Sequence, residues 1–177
     1  VSWGRWSSDW VGPGKRPDIN PGGPLHHIYS PDKTPNTTVL GMVGSGTLNY
    51  NRIASTGTLP TDESGAAGSL TPGGFITVDF NTMVVTNVDL GVNVSGRTIA
   101  ITEAGPQSIS NILANQPIPL NGSCLGGSCG GGVGMLGEMH MDFVGPNAER
   151  IASSFGVHEG TSPSSVAVSG TAVFEKP

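Results

Sequence analysis

Glu138, His140 and Asp142 stand two residues apart. On a β-strand that spacing puts all three on one face, with neighbours roughly 6.5–7 Å apart. Carboxylate, imidazole and carboxylate are groups a divalent metal uses. Two residues so far apart reach one ion only if their side chains incline toward each other, so the three are weak metal candidates. The plainer reading is a solvated strand face, and no metal site is expected. His26-His27 is an adjacent pair whose rings would point to opposite faces of a strand, so only one could serve a site. Met135, Met139 and Met141, with Phe143, form an apolar stripe of the same period. It reads first as core, filled by adaptable thioethers. A sharper reading makes it the lining of an interior that carries haem or another small apolar ligand, with Met or His as an axial ligand.

Catalytic constellations are missing. Gly44-Ser45-Gly46 lacks the G-x-S-x-G nucleophile elbow. No His stands in a recognisable pairing with a Ser or Cys nucleophile. The glycine run Gly130-Gly131-Gly132-Val133-Gly134 lacks the Lys-Ser/Thr of a phosphate loop and precedes a strand instead of a helix. The expectation is a protein that is not an enzyme, with no cofactor and with its ligand-binding residues unassigned. Cys124 and Cys129 are separated by Leu-Gly-Gly-Ser. C-x4-C without a second pair is poor zinc spacing. A local disulfide closing a glycine-rich loop fits better than two free thiols, and it implies an oxidising compartment. Asn36-Thr37-Thr38, Asn93-Val94-Ser95 and Asn121-Gly122-Ser123 are glycosylation sequons.

The elements that must position these residues are β-strands. Among 177 residues there are 28 Gly and 14 Pro, and charged residues make up only 12%, about half the usual share. A long helix needs more Lys, Glu and Arg than this chain holds. That excludes a helical bundle and disfavours a parallel α/β sheet. The net charge of −5 with scattered Lys and Arg argues against a nucleic-acid partner. No run approaches 18 apolar residues, so no transmembrane helix is expected. The chain starts at Val1 and reads as a mature or trimmed fragment, one domain over 1–177.

Residues 1–37 are rich in Trp, Pro and Gly and are expected to form an irregular segment packed on the rest. From Val39 a period of two takes over, marking 38–177 as the sheet. Strands are expected at Gly46–Tyr50, Ile76–Phe80, Val88–Val94, Thr98–Thr102, Met135–Phe143, Ala148–Phe155 and Val166–Phe174, with a tight hairpin at Asn81-Thr82. Only Ser108–Ala114 could hold a short helix. About eight antiparallel strands with one polar face suggest a meander closed into a barrel, which removes its edges. Val166–Phe174 should close it against Gly46–Tyr50. Val166, Val168, Gly170, Ala172 and Phe174 then face inward, Gly170 makes room for Met139 and Phe80, and Thr171 lies on the surface.

The stretch Phe143-Val144-Gly145-Pro146-Asn147-Ala148-Glu149-Arg150, then Phe155-Gly156, then Val168-Ser169-Gly170-Thr171-Ala172-Val173-Phe174, resembles the closing strands of the β-barrel domain of transferrin-binding protein B-like surface lipoproteins. Gly46–Tyr50 and Phe75–Phe80 are similar to that family's early strands. Trp3-Gly4-Arg5-Trp6 opens the chain as in related barrels appended to FecR-type periplasmic regulators. The resemblance implies a bacterial protein at the cell surface or in the periplasm, extracellular to the cytoplasm. It also implies a binding module with a protein partner held by variable loops. The sequons would then be bare. Gly145, Pro146, Ala148 and Glu149 read as a structural motif: Gly145-Pro146 ends a strand, and Glu149 accepts backbone N–H bonds at the turn or pairs with Arg97 or Arg150.

Overall fold

The structure, a computed structural model, describes residues 2–6, 25–53, 59–127, 129, 134–159 and 166–177, with the backbone alone for 2–6 and 25–29. In chain order the elements are β1 (Ser2–Trp6), β2 (Leu25–Tyr29), α1 (Asn36–Leu40), β3 (Thr47–Arg52), β4 (Thr61–Asp62), β5 (Ser69–Leu70), β6 (Phe75–Asp79) and β7 (Val84–Val94). They continue with β8 (Arg97–Glu103), β9 (Gln107–Ser108), α2 (Ile109–Leu113), β10 (Ile118–Leu125), β11 (Gly134–Val144), β12 (Arg150–Glu159) and β13 (Ala167–Glu175).

Period-two patterning builds a closed antiparallel barrel. Its eight strands run β3-β6-β7-β8-β10-β11-β12-β13, and each is hydrogen-bonded to the next. Val88, Leu90, Val92 and Val94 are buried on β7, while Asp89 and Asn93 between them are exposed. Met135, Met139, Met141 and Phe143 fill the interior from β11, with Ile99 and Ile101 from β8. Pairing passes from Thr77↔Asn87 to Val78↔Val85, which leaves Thr86 as a bulge. Such an extra residue bends the strand, and here it lets both Val85 and Val88 face the core. Turn chemistry fixes the hairpins. Asp79 accepts from the Asn81 N–H at 2.9 Å and the Thr82 hydroxyl at 2.6 Å, so the expected β6–β7 hairpin forms. Ser95-Gly96 joins β7 to β8 with φ of 51° and 74°, the double positive pattern of a two-residue hairpin turn.

The expected helix at Ser108–Ala114 is α2, capped by the Ser108 hydroxyl and buried through Ile109 and Ile112. A second single-turn helix, α1, corrects the expectation of one helix and of sheet from Val39. The Pro35 carbonyl accepts from the Thr38 and Val39 N–H groups, and Val39 is fully buried. Both helices lie at the β6–β7 turn: Gly44 N–H donates to Phe80 O and Ile109 N–H to Met83 O. This is the lower end of the barrel.

Three details depart from the sequence reading. Within 1–37, Ser2–Trp6 and Leu25–Tyr29 pair as a separate two-stranded sheet, and β2 lies against β12 and β13. The barrel seam is split. β13 meets β3 through Phe174↔Arg52 and Glu175↔Asn51, beyond the Gly46–Tyr50 stretch named above, and meets β4 through Val168↔Asp62 and Ser169↔Thr61. β5 meanwhile pairs with the upper part of β7, so β4 and β5 complete the upper half where β3 and β6 are too short. Finally, Val168, Gly170, Ala172 and Phe174 are buried as expected, but Thr171 and Val173 on the outer face are buried too. Gly170 faces Phe155 and Pro60 as its nearest neighbours, in place of the expected Met139 and Phe80.

Candidate functional site

The upper end gathers residues from four segments around Arg97. It is the first residue of β8 and continues the inward series Ile99, Ile101, so its side chain enters the mouth of the barrel and is 1% exposed. A buried guanidinium needs carboxylate partners. Asp62 supplies one at 3.0 Å, and Glu63 supplies both oxygens, at 2.9 and 3.1 Å. Asp62 also accepts from the Ser64 N–H and hydroxyl, the Ala66 N–H and the Ser95 hydroxyl. Burial alone pushes the Asp62 carboxyl up; the Ser95, Ser64 and Ala66 hydrogen bonds outweigh it and bring it down to about 2. Burial likewise raises Glu63, and the Arg97 bond with the Ala167 N–H outweighs it, holding Glu63 below its ordinary value. The cluster therefore ties the β4–β5 excursion to the β7–β8 turn and to β13.

Gly127, just after β10, lies against this cluster. A Cβ at Gly127 would meet Arg97 Cγ at 2.8 Å, and φ there is +54°; glycine is required on both counts. Cys124, inward and buried on β10, is bonded to Cys129 as expected. Beside the cluster an open hollow of about 500 Å³ runs between Ala67–Ser69 and Asn93–Thr98. Leu59 and Leu125, 63% and 65% exposed, stand at the same end.

The Gly145–Glu149 block forms the opposite end. Gly145 has φ +93°, and a Cβ there would strike the Glu149 carboxylate. Glu149 accepts from the Asn147 backbone N–H at 3.0 Å and from its amide at 3.1 Å, and the backbone bond foremost lowers its pKa. Of the options read from sequence, the turn is the one realised: Arg97 binds Asp62 and Glu63, and Arg150 binds Glu175. Ala148, fully buried at φ 54°, receives the Tyr50 hydroxyl on its carbonyl at 2.9 Å. Burial first, then the Glu149 charge, raises the Tyr50 phenol far above its ordinary value. Phe143 packs against Tyr50 and Phe80 with ring centroids 6.3 and 6.2 Å apart. Thr34 donates to Gly145 O at 2.6 Å and Gly145 N–H to Asp32 O, which closes the lower end.

Glu138, His140 and Asp142 share the outer face of β11. Glu138 and His140 are exposed, and Asp142 pairs with Lys33. Among the described residues no three His, Cys, Asp or Glu side chains converge on a metal position. His140 and Asp142 border an open hollow of about 270 Å³ with Asn115, Ala152 and Ser154. The side chains of His26 and His27 lie outside the described residues. Met135 and Met139 are 1% and 0% exposed within the packed core, and the hollows beside Arg97 and beside His140 open to the surface. The sequon residues Asn36, Asn93 and Asn121 are all exposed.

Fold and ends together define the class: an up-and-down, eight-stranded antiparallel β-barrel with a packed interior and a disulfide near one rim. No family model, curated protein or solved structure matches the chain.

Proposed function

We propose that this barrel is a non-enzymatic binding module of a bacterial surface or periplasmic protein, similar in role to the barrel of transferrin-binding lipoproteins, and that its upper end meets a protein partner. The difference between the two ends carries this reading. The lower end is closed by α1, α2 and the Tyr50–Ala148 tie. At the upper rim the Arg97 cluster and the Cys124–Cys129 bond tie segments together, and Leu59 and Leu125 are exposed. Rigid scaffolds with displayed connections are the usual architecture of recognition surfaces. The disulfide supports an oxidising compartment.

The test is capture of a partner from cell-surface or host-fluid proteins on the immobilised chain, repeated with two paired variants. Leu59→Asp with Leu125→Asp alters the upper end; Leu40→Asp with Val43→Asp alters exposed residues of the lower end. The expected result is a partner lost with the first pair and retained with the second. The reverse pattern would overturn the assignment of the upper end. Haem titration addresses the carrier reading: with Met135 and Met139 packed, no Soret shift is expected, and one-to-one haem uptake would replace the partner reading with a carrier.

A further inference from the structure

The two cysteines stand unequally in the fold. Cys124 continues the inward series Ile118, Leu120 on β10 and is 1% exposed. Cys129 is half-buried and packs against the core. Their bond brings the chain back to β10 within five residues. Between them Gly126 and Gly127 have φ of 79° and 54°, a backbone open to glycine, and the missing side chains let them approach the β7–β8 turn. A Cβ at Gly126 would lie 3.1 Å from Gly96 O, and one at Gly127 would lie 2.8 Å from Arg97 Cγ and 3.3 Å from Gly96 O. Both glycines are exposed, yet the Arg97 side chain beside them is 1% exposed. Their backbone is therefore part of the cover that keeps water from the Arg97 stem.

The ion cluster depends on that cover. Arg97 holds Asp62 and Glu63, and its Nε is buried with no hydrogen-bond partner. Water admitted beside the stem would hydrate Nε and screen both ion pairs. The same carboxylates accept the Ser64, Ala66 and Ala167 N–H groups, so loosening there reaches the β4–β5 excursion and the start of β13.

We propose that Cys124–Cys129 is a redox-sensitive latch: its reduction releases Gly126-Gly127 from the β7–β8 turn, hydrates the Arg97 cluster and loosens the β4–β5 excursion. The latch is a linkage within the barrel and is independent of the partner reading above. The reductant is a dithiol. One of its thiolates attacks Sγ of Cys129, the less buried residue of the pair, and Cys124 leaves as a thiolate that takes up a proton. The second thiol attacks the mixed disulfide and frees Cys129, which also gains a proton. Two electrons and two protons pass to the protein, and the reductant ends as a disulfide.

Amide hydrogen exchange of the full chain, with and without dithiothreitol, tests the latch. In the reduced protein the Ser64, Ala66 and Ala167 amides should exchange about tenfold faster or more, while the lower-end amides of Thr34 and Ile109 change less. Equal acceleration at both ends would be general destabilisation and would overturn the proposal. So would unchanged exchange, or a disulfide that dithiothreitol leaves intact in the folded protein. Gly127→Ala keeps the bond but puts a methyl group against the Arg97 stem. Without reductant it should speed the same three amides, and failure to do so would overturn the link through Gly127.

Discussion

Replacing Arg97 with Leu tests whether charge, as distinct from packing, holds the upper rim. Arg97 is 1% exposed and its carboxylate partners Asp62 and Glu63 are 3% and 32% exposed. Removing one member of a buried ion pair costs about 3–5 kcal/mol, because the remaining charge keeps its desolvation penalty without its partner. Leu keeps much of the apolar bulk, so most of the loss should be electrostatic. The pH dependence separates the two terms. Asp62 and Glu63 both titrate below their ordinary values in the folded protein. A depressed carboxyl stabilises the fold above its unfolded pKa and loses that contribution as pH falls through its folded pKa. Asp62 is brought down to about 2 from 3.8 by the Ser95, Ser64 and Ala66 hydrogen bonds, which the substitution leaves in place, so its contribution is common to both proteins and the gap follows Glu63, lowered foremost by Arg97. Without Arg97 the Glu63 carboxyl loses the partner that most lowers it and protonates sooner, which relieves the variant. The stability gap between wild type and Arg97→Leu should therefore be widest at pH 7 and shrink clearly by pH 3. Urea denaturation followed by far-UV circular dichroism at both pH values measures it. A gap that stayed constant would refute the electrostatic account and leave packing as the cause.

Gly170→Leu should destabilise the barrel by about 1–3 kcal/mol, since even a Cβ there lies 2.9 Å from the Phe155 ring and 3.2 Å from Pro60 Cα; chemical denaturation that finds it neutral would mean that Phe155 can move aside. Tyr50→Phe should cost about 1–2 kcal/mol by leaving the buried Ala148 carbonyl without its donor, and thermal melts unchanged by it would place water at that carbonyl. Ellman titration of the unreduced, unfolded protein should find no thiol, and reduction should lower stability by about 2 kcal/mol at most, given the short loop; two titratable thiols would remove the staple.

The strands that sequence reveals are those with long alternating faces, such as Val88–Val94 and Met135–Phe143. β10 was hidden because Pro119 and Asn121-Gly122 interrupt its pattern, although Ile118, Leu120 and Cys124 alternate inward. Proline is tolerated there because β8 begins to pair with β10 only at Leu120. β4, β5 and β9 have two residues each and carry no period at all. The Arg97 cluster escaped because its partners sit in a separate excursion and meet it only through the barrel's curvature. A faint signal was present: Arg97 occupies the inward phase of Arg97-x-Ile99-x-Ile101, where a lone charge calls for a buried counter-charge. The burial of Thr171 was invisible for another reason. Alternation tells which face a residue takes, whereas coverage of that face depends on residues 25–29, far away in the chain.

The seam between β13 and β3 governs how the chain reaches this structure. Every other barrel ladder joins neighbours in the meander and can form locally, hairpin by hairpin, as a curling open sheet. The seam couples Asn51-Arg52 to Phe174-Glu175 and Thr61-Asp62 to Val168-Ser169, so its loop-closure entropy falls due only at the end. During synthesis the edges of β3 and β12 stay unpaired until β13 emerges, and the nascent sheet is open to edge pairing with other chains throughout that interval. A chain cut short before β13 would remain in that state, which makes the final nine-residue strand the step that converts an aggregation-prone sheet into a molecule without barrel edges.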